Sequence, residues 1–280
     1  MSLLKLPAIH AENSIQQAQF DMRPDALERW QPEIRAAADE PQSISIYDRI
    51  GTTWDGEGVT AKRISAALRS IGRNVDVQVN INSPGGDFFE GVAIYNLLRE
   101  HQGRVTVRVI GLAASAASVI AMAGDDILMG VGADLMIHNA WGMAAGNRHD
   151  FLAVAEVLAP FDAAMAEVYS ARSGIAAKDI AAMMDGETWI GAEQAVRDGF
   201  ATGMIAADVV ASGAKAEAGK KYLSMVEAAM TRAGHSRSVR RDALRALFSG
   251  TPGAAGTIAT PSAGTEMAAL LHSFTQSLKG

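Results

Sequence analysis

Within the stretch Val105 to Asn139 lie a serine, Ser115, and a histidine, His138, close enough in sequence to be shared by neighbouring elements. A hydroxyl attacks a carbonyl well only when a base takes its proton and N–H donors hold the oxyanion that forms. Ser115 follows a β-branched run (Val105, Val107, Val109, Ile110), then Gly111, then small residues that open an apolar helix. That order predicts a serine at a strand-to-helix junction, where its side chain projects into a cleft and unpaired helix N–H groups face the same space. Ser118, one turn later, is the rival hydroxyl and is expected to bond back to the helix carbonyls. His138 closes the next short apolar run and reads as the base, with a hydrogen-bonded core histidine as the competing reading. Further upstream, Asn82-Ser83-Pro84-Gly85-Gly86-Asp87 joins a strand to a helix. Two bare glycines there offer backbone N–H groups to a ligand, or make a tight turn and nothing more.

The elements that must position these residues read as alternating strands and helices. Ser43 to Tyr47 and Val75 to Ile81 alternate as strands, Val59 to Ile71 and Phe88 to Arg99 are helical, and Val105 to Ile110 leads into a helix at Ala114 to Ala123. Ile127 to Met129 and Leu135 to Ile137 are further short strands. A long helix spans Phe151 to Arg172, with Pro160 expected to kink or divide it. Short helices follow at Ala176 to Met184 and Ala192 to Arg197. Repeated strand–helix–strand order predicts an α/β fold with parallel β-α units.

The 280 residues suffice for one large domain, and 49% hydrophobic with 20% charged residues is ordinary globular composition. A net charge of −6 gives no reason to expect nucleic acid as a partner. Without cysteine there is no disulfide, thiolate nucleophile or cysteine-bound metal, which fits a reducing cytoplasm. The start MSLLKLPAIHAENS lacks the pattern of a secretory signal, and Val109 to Gly124 is too short and too rich in Ser and Gly to span a bilayer, so no membrane association is expected. The expected organisation is an N-terminal arm (1–38), a catalytic domain (39–205) and a helical, low-complexity tail (206–280). In that tail, helix-prone Lys215 to Arg232 and an Arg-rich helix around Arg237, Arg240, Arg241 and Arg245 precede a linker, Ser249 to Gly264, and a last apolar segment, Met267 to Leu278.

Four motifs taken in order, INSPGG at Ile81 to Gly86, GLAASAAS at Gly111 to Ser118, MIH at Met136 to His138 and EQAVRDGF at Glu193 to Phe200, resemble the Clp protease proteolytic subunit family. The resemblance covers roughly Ser43 to Thr202. It implies a ClpP/crotonase-like repeated β-β-α spiral core with a protruding handle helix, here Phe151 to Arg172. It also implies a serine endopeptidase with Ser115 as nucleophile, His138 as general base, and the N–H groups of Gly86 and Ala116 as the oxyanion hole. The family's acid is an aspartate, whereas the aligned residue is Glu187, with Asp185 two residues away as the alternative; a glutamate can fill the role. No metal or cofactor is called for.

The resemblance further implies protein or peptide substrates and a homo-oligomer of heptameric rings that can stack as a tetradecamer. The segments flanking the core, and ETWIGAEQAV at Glu187 to Val196, look most like the head maturation proteases of bacteriophages and prophages. That subtype implies capsid and scaffold proteins as substrates, and location in the bacterial cytoplasm or inside the phage prohead. Three alternatives stay open: an ATP-dependent Clp subunit working with an unfoldase, a crotonase-type acyl-CoA enzyme, and an inactive shell or scaffold protein.

Overall fold

Apolar residues at every second position build the strands of the central sheet, and the turns between them are set by glycine and by short polar loops. The computed structural model describes residues 7, 19–20, 23–36, 41–206, 210–212 and 218–249. In chain order the first elements are β1 (Gln19–Phe20), α1 (Pro24–Arg29), β2 (Ile34–Ala36), β3 (Ser43–Ile46), α2 (Ala61–Ile71), β4 (Val77–Ser83), α3 (Phe88–Arg99), β5 (Val105–Ala114), α4 (Ala116–Ala121), β6 (Asp126–Met129) and β7 (Asp134–Ile137). There follow β8 (Gly142–Met143), α5 (Arg148–Ser173), α6 (Ala177–Asp185), β9 (Thr188–Gly191), α7 (Ala192–Arg197), β10 (Gly203–Met204), β11 (Val210–Ser212), α8 (Ala218–Arg232) and α9 (Arg237–Ser249).

The main sheet has the order β10-β6-β5-β4-β3, all parallel, with β7 parallel to β5 and β9 antiparallel to β7. This is the expected α/β architecture, a ClpP-like fold. Strand β5 is the hinge of the arrangement. Its first half, Thr106 to Val109, pairs with β6, and its second half, Leu112 to Ala114, pairs with β7. One strand thus serves two neighbours, and the change of partner brings the nucleophile-bearing end of β5 beside the histidine-bearing end of β7.

Both faces of that end are covered. Ala113, Leu135 and Ile137 join the main core with α3, α4 and α5, while Leu112, Ala114 and Met136 join a second cluster with Ala26, Leu27 and Trp30 of the α1 region and Ala228 of α8. Burial on both sides explains why these strands read as nearly continuous apolar runs. A six-residue helix within the expected arm is therefore part of the packed molecule. Trp30 is wholly buried and its Nε1 donates to Asn82 O at 3.0 Å, and Asn82 Nδ2 donates to Gln31 O (2.7 Å) and Ile34 O (2.9 Å).

The long helix α5 runs unbroken through Pro160, so of the two expected effects the proline does not divide the helix. Pro160 stands on the exposed side, where water can solvate the carbonyl that loses its helical partner. Its C-terminal half packs inward through Phe161, Met165, Val168 and Tyr169, and Arg172 donates to Met122 O (2.7 Å) and Gly124 O at the carbonyl end of α4. Two compact units divide the chain, Met1–Arg245 and Ala246–Gly280, so α8 falls within the first unit. The described part of the second is the end of α9; the expected linker past Ser249 and the segment Met267 to Leu278 lie outside the described residues. Among the described residues no helix is long and apolar enough to cross a membrane.

Candidate active site

Ser115 sits between β5 and α4 with φ 56° and ψ −126°, one of two non-glycine residues at positive φ among those described. Such a conformation costs on the order of 1–3 kcal/mol and persists only where the surroundings impose it. Here they do. Ser115 N donates to Met136 O (3.0 Å), and Ser115 O accepts from Ser118 N (2.9 Å) and from the Ser118 hydroxyl (2.6 Å). Ser118, wholly buried, also meets Tyr169 OH at 2.8 Å, so the rival hydroxyl is spent on holding the turn.

The sharp turn aims the Ser115 side chain at His138, whose Nε2 lies 2.7 Å from Ser115 Oγ. That is the distance of a hydroxyl donating to an imidazole nitrogen. Gly85 and Gly86 close the other side. A Cβ on Gly85 would sit 2.6 Å from Ala114 O and 2.8 Å from Ser115 Cβ, so glycine is required by contact with the nucleophile itself. Ile50 N donates to Gly85 O and Asp87 N to Ile50 O, a bridge that leaves the N–H of Gly86 out. Ala116 is the first residue of α4, ahead of any intrahelical bond its N–H could make. Gly86, Ala116, Ser115 and His138 line one cleft, with Phe88, Trp141 and Met165. The four site residues expected around the reacting carbonyl are thus gathered in one place.

The acid is different. The last pair of the β7–β9 register is Ile137 with Thr188, so His138 and Glu187 are the residues that follow and precede it in the chain, both outside the strands. Yet no carboxylate among the described residues hydrogen-bonds the imidazole. Glu187, itself at φ 49°, is taken by Arg23, whose Nη2 lies 2.6 Å from Oε1 and 2.7 Å from Oε2. Asp185 is taken by Asn139, whose Nδ2 donates to its Oδ1 at 2.7 Å. Asp162 of α5 accepts from Ala140 N (2.6 Å), fixing the loop after the histidine. Burial pushes the His138 imidazolium from 6.5 down to about 4; the Arg23 charge lowers it further and Asp25 raises it. The ring is therefore neutral at pH 7.

Arg23 and Asp25 are the site residues that sequence reasoning missed. Arg23 is the N-cap of α1 yet makes no side-chain cap; its guanidinium instead spans Glu187, Asp25 (3.6 Å) and the Trp141 ring (5.9 Å). The available signal was Pro24 at the first helical position, with Asp25 in the first turn and Arg29 in the last. Six residues are too few for a period to show.

A serine and histidine in contact, a glycine turn against them and donors around one cleft make an acyl-transfer site. Comparison with known proteins gives the chain a family. The Clp protease family profile matches residues 37–208. The chain is 32% identical over 120 residues to an ATP-dependent Clp protease proteolytic subunit of Pleurastrum terricola, covering 42% of this chain and 61% of that one. It is 29% identical to ATP-dependent Clp protease proteolytic subunit 2 of Rhodococcus jostii, covering 61% of this chain and 93% of that one. A solved mutant ClpP1 from Listeria monocytogenes superposes with a TM-score of 0.48 at 21% identity, over 59% of this chain and 91% of that one. With the motifs, the fold and the profile match extending over more than half its length, the chain belongs to the Clp protease family of serine peptidases.

Proposed function

We propose that this chain is a serine endopeptidase working through an acyl-enzyme. The observation that carries the reading is the 2.7 Å approach of Ser115 Oγ to His138 Nε2 inside a cleft that also presents Gly86 and Ala116. His138 takes the Ser115 proton as Oγ attacks the scissile carbonyl, and the Gly86 and Ala116 N–H groups receive the oxyanion. His138 then returns the proton to the leaving amine, and water, activated by the same imidazole, releases the acyl group. Glu187 is the acid on this reading, supported by its alignment with the family's acid and by its position next to Thr188, the strand partner of Ile137. A fluorophosphonate probe tests the reading: it should label Ser115, as mapped by mass spectrometry, and Ser115→Ala should lose both label and peptide hydrolysis. Hydrolysis at the wild-type rate in Ser115→Ala would refute it.

The finer reading is head maturation of a phage or prophage, with capsid and scaffold proteins as substrates. Its support is the glutamate in ETWIGAEQAV and the segments flanking the matched residues 37–208, of which α1 and α8 pack against the catalytic strands. The names of the curated relatives favour a second reading, an ATP-dependent proteolytic subunit. Stimulation of peptide or protein cleavage by a Clp unfoldase with ATP would select it over head maturation. Both readings carry a homo-oligomeric ring.

A further inference from the structure

The guanidinium of Arg23 binds both oxygens of Glu187, and its charge also bears on His138. We propose that Arg23 is a positioning residue that latches the acid: it holds Glu187 off His138, and its release hands the carboxylate to the imidazole and raises peptidase activity. This rests on the reading of Glu187 as the acid.

Three observations support the latch. Glu187 and His138 are each one residue beyond the last β7–β9 pair, Ile137 with Thr188, and the Arg23 that holds Glu187 also bears on the charge of His138. Both Glu187 oxygens lie within 2.7 Å of one Arg23 nitrogen, so the carboxylate is fully committed while the latch is closed. A second resting place for Arg23 is already built. Its Nε and Asp25 Oδ1 are both buried and lack hydrogen-bond partners among the described residues, and they stand 3.6 Å apart, just beyond bonding distance. Turning the guanidinium toward Asp25 completes that bond and frees Glu187.

The groups around His138 make the switch readable. Arg23 and Asp25 face it from the start of α1, Glu187 from the start of β9, Asp185 from the end of α6 and Asp162 from α5, the last two held by Asn139 and Ala140 N. An engaged Glu187 favours the imidazolium, so opening the latch raises the titration midpoint of His138.

The test follows the His138 ring by NMR in the full-length protein labelled at histidine, with His138→Gln for assignment, alongside the rate of fluorophosphonate labelling of Ser115. Arg23→Ala should raise the midpoint by about one pH unit or more and speed labelling about tenfold. Arg23→Lys should restore most of the wild-type behaviour. Adding Glu187→Gln to Arg23→Ala should bring the midpoint back down and cancel the faster labelling, leaving only the rise due to the lost Arg23 charge, which separates the arrival of Glu187 from that loss. Equal midpoints in Arg23→Ala and the double variant overturn the latch, whatever the labelling shows. Midpoints that move as expected while Ser115 stays unlabelled in every variant uphold the latch and sink the peptidase reading instead. If Arg23→Ala fails to fold, Arg23→Gln, which keeps the aliphatic stem and a polar end without the charge, carries the same comparison.

Discussion

At Gly85 the backbone passes so close to the nucleophile that a single methyl group has no room. Gly85→Ala would place a carbon 2.6 Å from Ala114 O on a backbone at φ +89°, so it should cost about 2–4 kcal/mol in a urea melt and abolish Ser115 labelling. A variant that labels at the wild-type rate would show that the turn relaxes without disturbing Ser115. The histidine makes a second prediction. In the folded chain burial and Arg23 hold it down at about 4, while in the unfolded chain it titrates near 6.5. Between those values the unfolded chain binds the proton and the folded one does not. The contribution of His138 is therefore fully present above about pH 6.5 and is lost as pH falls toward 4, at no more than about 1.4 kcal/mol per pH unit. The urea midpoint of His138→Gln should fall less steeply over that window; equal slopes would remove the histidine from the acid response. Ser115 and His138 were legible in the sequence because local signals mark them: a β-branched run, a glycine, small residues, an apolar run. What occupies Glu187 was not, because Arg23 lies 164 residues away and only the packing of α1 brings it there.

Elements carry the site by being anchored at particular side chains. Asn82 was read as part of a turn signal, and its work is larger: Nδ2 holds Gln31 O and Ile34 O, and Oδ1 accepts from Leu112 N at 3.1 Å. One side chain thus ties the α1–β2 segment to β4 and β5 just before the nucleophile. Asn82→Ala takes away the side-chain partner of the buried Leu112 N–H and one donor each from Ile34 O and Gln31 O, and should cost about 3 kcal/mol. It should also loosen α1, seen as faster hydrogen exchange at Ala26 and Leu27; protection unchanged there would mean that the apolar cluster alone seats the helix. The parallel strands were legible from their alternation. The short α1 was not, nor was it legible that Pro160 leaves α5 undivided, since sequence shows the residue but not that its helix face is open to water.

At the scale of the whole molecule the question is what covers the N-terminal half of α5. Phe151 and Leu152 are 51% and 54% exposed, whereas Phe161, Met165 and Tyr169 of the same helix are buried. A helix that packs one half and presents large apolar residues on the other is built to meet a partner, though isolated exposed apolar residues are also common on monomers. The proposed ring stack supplies the partner as a second copy, with the first turns of α5 as the contact. The site itself sits at the other end of this logic, since Met165 of α5 lines the cleft and Asp162 fixes the loop after His138. Assembly through α5 would then act on the helix that shapes the cleft. Phe151→Glu with Leu152→Glu removes apolar surface without touching the core, so the variant should keep the wild-type secondary structure by circular dichroism. Sedimentation should show the assembled mass falling by half, as stacked rings separate into single ones, with slower peptide cleavage because α5 loses its support. An unchanged mass would place the contact between copies elsewhere on the molecule.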